Sequence, residues 1–190
     1  AMQLYDESSI ILNENSTLEL LTTSADSTRE VILKGQARFD VVKSSKPFII
    51  HTQNGDIRVT GTVFDALSTE SITTIELYEG KVTYTTLYET TEVLPNTRLI
   101  HLASEKNSLQ QKITFSLNWQ GQISCENMPL TYILEQLKMA YTIDSEVSGR
   151  LLKETYTVEL PKDDLRACLQ ILSDVVGKKF ALINGVIVLQ

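Results

Sequence analysis

Asn54-Gly55 lies between two runs rich in apolar residues, Pro47–Thr52 and Asp56–Phe64. This dipeptide tolerates the positive φ angles of a two-residue type I′ turn. The stretch therefore reads as a β-hairpin in which Gln53 faces Asp56, Ile50 faces Val59 and Phe48 faces Gly61. In that register Phe48, Ile50, Ile57 and Val59 point to one side, as a half-buried strand pair requires. The second strand runs into Gly61-Thr62. A glycine inside a strand weakens it and marks a bulge or the close approach of another backbone.

The same β character extends from residue 4 to about residue 103. Val31/Leu33, Phe39/Val41, Ile75/Leu77 and Val82/Tyr84 alternate with period two, and Thr, Val, Ile and Tyr suit a pleated surface. Turn signals recur at Glu14-Asn15, Lys34-Gly35, Ser44–Pro47, Asn54-Gly55, Glu79-Gly80 and Pro95-Asn96. Many short strands with no helix between them predict an all-β sandwich or rolled sheet over residues 1–104.

Residues 105–112 are polar and aperiodic and read as a linker. The pattern then changes. Ile123 and Cys125 begin a strand, and Asn127 and Pro129 have helix-start character. Leu130, Ile133, Leu134, Leu137 and Tyr141 form one helical stripe. Thr142–Asp144 and Glu154–Leu160 read as strands. Asp163 and Asp164 place negative charge at the start of a second helix, whose stripe runs from Leu165 to Val176 and stops at Gly177. A last hairpin, Lys179–Ile183 and Val186–Leu189, turns at Asn184-Gly185. Residues 113–190 thus predict a small βαββαβ-type domain, and the whole chain an α+β protein.

The net charge of −7 lacks the basic stripe of a nucleic-acid surface and opposes docking on anionic lipid. Two histidines, His51 and His101, and two cysteines, Cys125 and Cys168, show no zinc-site spacing. No cofactor or metal is expected. No apolar run reaches the ~20 residues that span a bilayer. Ala1-Met2 reads as a cloning remnant.

Four segments in order resemble the FecR family of inner-membrane anti-sigma regulators: Arg29–Val41, Pro47–Thr52, Ile57–Phe64 and Tyr78-Glu79-Gly80-Lys81-Val82. Asp6–Asn13 is similar to the family's opening, with Glu7 where that opening has glycine. Trp119-Gln120-Gly121 and Asn127-x-Pro129-Leu130 are similar to the start of a C-terminal domain of the secretin/TonB short N-terminal type. The resemblance implies the periplasmic region of an anti-sigma factor. That region would sense the signalling domain of a TonB-dependent outer-membrane transporter. A cytoplasmic segment and an inner-membrane helix, both outside these residues, would control an extracytoplasmic-function sigma factor and anchor the protein.

Gly61 and Thr62 are the sharpest site candidates. The resemblance implies self-cleavage there, the Thr62 hydroxyl attacking the preceding carbonyl; the alternative is a structural bulge that only glycine fits. In the expected register His51 faces Arg58, about four residue steps from Thr62, and the local sequence offers no base. Val186, Ile187, Val188 and Leu189 are the second candidate, an apolar strand that would accept a partner strand if it lies at a sheet edge. Cys125 and Cys168 are expected as buried thiols, Asp65 on a solvated face, and Trp119 at the domain junction. Asp26-Ser27-Thr28 is a weak O-glycosylation pattern. No turnover is expected. The competing function is a periplasmic or surface β-sandwich binding a glycan or protein, for which Tyr78, Tyr84 and Tyr88 would supply exposed aromatics.

Overall fold

The computed structural model describes residues 1–21, 29–113 and 122–190. The chain divides into two compact units, 1–113 and 114–190. The expectations for Trp119 and for Asp26-Ser27-Thr28 lie outside the described residues.

The first unit opens with β1 (Met2–Gln3), β2 (Ser9–Leu12) and β3 (Thr17–Leu21), followed by the long β4 (Arg29–Val41). Next come β5 (Phe48–Thr52), β6 (Gly55–Val59), β7 (Thr62–Ser68), β8 (Ile72–Glu79) and β9 (Val82–Thr85). It closes with β10 (Thr90–Val93), β11 (Thr97–Leu102) and β12 (Leu109–Lys112). The strands join in the order β10-β9-β6-β5-β4-β7-β8-β11-β12, with β2 and β3 also pairing on β4.

β4 organises this unit. Its first half pairs parallel to β5 and antiparallel to β3; its second half pairs antiparallel to β7 and β2. A strand that changes partners midway carries the backbone from one face of the core to the other. The change falls at Gly35, whose φ is +92°, and a Cβ there would lie 2.5 Å from Ser16 Oγ. Two strands expected on either side of Lys34-Gly35 are therefore one.

Phe39, Phe64 and Phe48 meet at the centre of the resulting core. Phe39 stacks on Phe64 at 5.0 Å and meets Phe48 edge-on at 6.3 Å. Val31, Ile50, Ile57, Ala66, Ile75, Val82, Tyr84 and Leu99 extend the same buried cluster across the unit. The two ends of the strand path also meet, because Gln110 of β12 donates to the Glu92 carbonyl of β10 at 3.0 Å. Expecting either a sandwich or a rolled sheet thus caught two aspects of one nearly closed sheet.

Two local expectations are corrected. The hairpin closes on Thr52↔Gly55, with His51↔Asp56, Ile50↔Ile57 and Phe48↔Val59. The turn residues are Gln53 and Asn54, so the register moves by two. A shift of two preserves facing, and Phe48, Ile50, Ile57 and Val59 remain the buried set. The segment 105–112, expected as a linker, contains β12, which pairs antiparallel with β11 from Thr97↔Lys112 to Ile100↔Leu109. Its polar residues suit an edge strand with solvent on its outer side.

The second unit contains β13 (Gln122–Pro129), α1 (Leu130–Tyr141), β14 (Asp144–Glu146), a 3₁₀ turn at Arg150–Lys153, β15 (Thr155–Pro161), α2 (Leu165–Val176), β16 (Phe180–Ile183) and β17 (Val186–Leu189). β13 and β15 pair antiparallel, and β14-β17-β16 form a three-stranded sheet. Asp164 caps α2 by accepting from Ala167 N at 2.9 Å, and Gly177 ends it at φ 69°. Pro129 begins α1 without a side-chain cap; the Leu130 N–H instead donates to the Glu154 carbonyl at 2.9 Å. Among the described residues no helix is long and apolar enough to cross a membrane.

Candidate functional site

Gly61-Thr62 sits at a bend between β6 and β7 and packs against the loop after β4. Ser44 N donates to the Thr60 carbonyl at 2.8 Å, and a Cβ on Gly61 would lie 2.7 Å from Lys43 Cα. From the other side, a Cβ on Gly80 would meet the Gly61 carbonyl oxygen at 2.5 Å and Thr62 Oγ1 at 2.8 Å. Two glycines thus let three backbone segments converge on one peptide bond. The bulge in this region lies one strand away: Val63 pairs with Glu79 and Phe64 with Leu77, passing over Tyr78.

The loop against Gly61 is pinned by a partly buried ion pair that sequence reasoning did not single out. Arg29 pairs with Asp6 and donates to the Lys46 carbonyl at 2.9 Å and the Val42 carbonyl at 3.3 Å. Ser8 donates to Asp6 through both its backbone N–H (3.0 Å) and its hydroxyl (2.9 Å). Burial would raise the Asp6 pKa, but the bonds from Arg29 and Ser8 outweigh it and hold the carboxyl below its usual value. The sequence signal was the Asp6-x-Ser8 turn motif, whose partner lies 23 residues away at Arg29.

Thr62 is buried, and its hydroxyl donates to the Lys81 carbonyl at 3.1 Å. Among the described residues no imidazole or carboxylate hydrogen-bonds to it. His51 belongs to another cluster: Nδ1 lies 2.9 Å from Asp56 Oδ1 and Nε2 lies 3.3 Å from Glu30 Oε2. The expected His51–Arg58 pairing is replaced by Ile49↔Arg58, a consequence of the two-residue register shift.

Val186–Leu189 does not lie at an edge. β17 is the middle strand of its sheet, parallel to β14 on one side and antiparallel to β16 on the other. Its backbone groups are already paired, and Ile187 is fully buried. Among the described residues, the outer strands of that sheet are β14 and β16.

Other expected positions resolve as follows. Asp65 is 1% exposed rather than solvated. It accepts a two-point bond from Arg38 (2.7 and 2.8 Å) and a third from the Tyr78 hydroxyl at 2.8 Å. The Tyr78 hydroxyl also reaches Glu76, which pairs with Arg98. Burial pushes the Glu76 carboxyl above its usual range despite Arg98. Tyr84 is fully buried in the core, so of the three tyrosines only Tyr88 is strongly exposed. Cys125 and Cys168 are buried thiols not joined by a disulfide, and the Cys168 thiol donates to the Pro161 carbonyl at 2.8 Å. Among the described residues no group of three acidic, His or Cys side chains is placed to hold a metal ion.

Comparison with known proteins follows this geometry. Residues 1–83 match the family described as FecR protein. Two crystal structures of a candidate anti-sigma factor from Parabacteroides distasonis ATCC 8503 share the fold. One covers 100% of this chain and 92% of its own at 20% identity, with a TM-score of 0.82. The other covers 99% and 92% at 20% identity, with a TM-score of 0.81. No curated protein matches the chain in sequence.

Proposed function

We propose, because residues 1–83 match the family described as FecR protein, that the chain is the periplasmic signal-transduction region of a FecR-like anti-sigma factor. It receives the signalling domain of a TonB-dependent outer-membrane transporter and passes that state to an extracytoplasmic-function sigma factor. In this reading a sigma-binding segment and an inner-membrane helix complete the signalling path. The chain acts by binding, without turnover and without nucleic acid. The observation that carries this reading is the combination of a FecR match on the first unit with a fold likeness to a candidate anti-sigma factor over the whole chain. The partner shifts the population between arrangements of the chain that it binds unequally.

Calorimetric titration with the purified signalling domain of a TonB-dependent transporter encoded beside this protein tests the reading. Binding in the micromolar range is expected; no heat at that concentration defeats it. A glycan-binding sandwich draws less support, since Tyr84 is buried and the Tyr78 hydroxyl is committed to Asp65 and Glu76.

Self-cleavage is proposed as a separate step at Gly61-Thr62. Thr62 Oγ1 attacks the Gly61 carbonyl carbon, the C–N bond breaks, the hydroxyl proton passes to the departing amine, and water opens the ester. The close approach of the 43–44 and 79–81 segments to Gly61-Thr62, which leaves no room for a Cβ at Gly61 or Gly80, is the observation that favours a special role for this bond. The Thr62–Lys81 hydrogen bond must break first. Intact-mass measurement during prolonged incubation decides it, because an undivided chain excludes the step.

A further inference from the structure

A groove of about 550 Å³ opens beside the Gln53-Asn54 turn of the first unit. Its walls come from three places: Asn54 and Asp56 at the β5–β6 turn, Leu87 and Tyr88 between β9 and β10, and His101 and Glu105 around the end of β11. Leu87 is 95% exposed and Tyr88 is 64% exposed. Two large apolar side chains held in solvent next to a concavity mark an interaction surface. Their exposure is built in, because Thr86 Oγ1 accepts from both Tyr88 N and Glu89 N at 3.1 Å and fixes the turn.

The formally charged residues lining the groove, Asp56 and Glu105, are both acidic; no lysine or arginine lines it. Asp56 bonds His51 through Oδ1, yet its side chain remains 55% exposed. His101 adds no positive charge near neutral pH, since burial holds its pKa below the usual imidazole value. Beside the groove, the Lys106 ammonium lies 5.5 Å from the centre of the Tyr88 ring. The aromatic face at this rim already receives a cation, supplied by the chain itself.

We propose that this groove binds an arginine side chain of a partner polypeptide, with Tyr88 and Leu87 as its apolar seat and Asp56 and Glu105 as its countercharges. Lys106 holds the same aromatic face when the partner is absent. A planar guanidinium stacks on an aromatic ring and offers a fork of donors to carboxylates, which a compact ammonium does not. This site is independent of the transporter reading and could be occupied whether or not that reading holds.

The probe is N-acetylarginine amide, titrated into the 190-residue protein and followed by amide NMR, with N-acetylcitrulline amide as its neutral isostere. The arginine compound should shift residues 53–56, 85–88 and 101–105 with millimolar affinity, and the citrulline compound should not. Lys106→Ala removes the competing cation and should tighten binding about two- to fivefold, while Tyr88→Ala should weaken it by a similar factor. Asp56→Asn with Glu105→Gln should weaken binding and flatten its salt dependence. Asp56 is exposed and Glu105 half-buried, so neither substitution opens the core. The proposal is overturned by an absence of shifts up to about 50 mM, far above the affinity one side chain provides. It is equally overturned by equal binding of citrulline, or by Lys106→Ala leaving the affinity unchanged or lower.

Discussion

Glu7 holds a φ of 68° in the turn that opens the chain. The left-handed region costs a non-glycine L-residue about 1–2 kcal/mol, and glycine's greater chain entropy returns part of that. Glu7→Gly should therefore stabilise the protein by about 0.5–1 kcal/mol in urea unfolding. His51 makes a second residue-scale prediction. Burial lowers its pKa, but bonds to Asp56 and Glu30 outweigh burial and raise it. A raised folded-state pKa stabilises the fold fully below the unfolded pKa of about 6.5. That contribution is lost as pH rises through the folded value. The stability gap between the parent and His51→Gln should thus be widest near pH 5.5 and shrink toward pH 8.5; a gap that grows with pH contradicts the assignment. The two Asn-Gly dipeptides show why residue chemistry alone is ambiguous. Asn184 and Gly185 both have positive φ, 52° and 82°, and make the expected two-residue turn. Asn54 instead donates its side-chain amide to the Thr69 carbonyl and the Thr73 hydroxyl, and Gly55 makes room for Thr85 and Tyr84.

Among the elements, β4 carries the greatest share of the first unit, since four other strands pair on it. Phe39 projects from it into contact with both Phe48 and Phe64, so Phe39→Ala should cost about 3–5 kcal/mol and show as a lower denaturant midpoint with the slope unchanged. On the neighbouring β7 and β8, Asp65→Ala would leave Arg38 and Tyr78 without their shared acceptor. Breaking such a buried pair costs about 3 kcal/mol or more, less here because Arg38 is partly exposed. Asp65→Asn, which keeps the shape and one acceptor oxygen, should cost less in the same unfolding assay. Gly80→Ala would drive a methyl group into the Gly61 carbonyl at a position whose φ is +89°. It should destabilise β7 and β8 together by about 1–3 kcal/mol.

At the scale of the whole molecule, Cys125 and Cys168 are buried thiols not joined by a disulfide, so reductant should leave the melting temperature unchanged. Period-two alternation, helical stripes and turn residues marked most strands and both helices, because those patterns depend on neighbours only a few residues apart. Thus α1 starts at Leu130, α2 ends at Gly177, and Ser9–Leu12 and Thr17–Leu21 are strands as the local pattern dictates. Pairing depends on distant partners. β9 docks on β6, with Asp56↔Thr85 and Val59↔Val82, alongside the shifted hairpin register. β14 and β16 enclose Val186–Leu189, and β11 recruits Leu109–Lys112 from an apparent linker. The groove at Tyr88 assembles from three segments with no shared motif. The sequence by itself determined the element types, the buried faces and the resemblance of the opening segments, all of which short-range periodicity and composition encode. Only the tertiary structure decided which strand edges are open, which charges are buried and what surrounds Thr62, because those depend on contacts that no local pattern specifies.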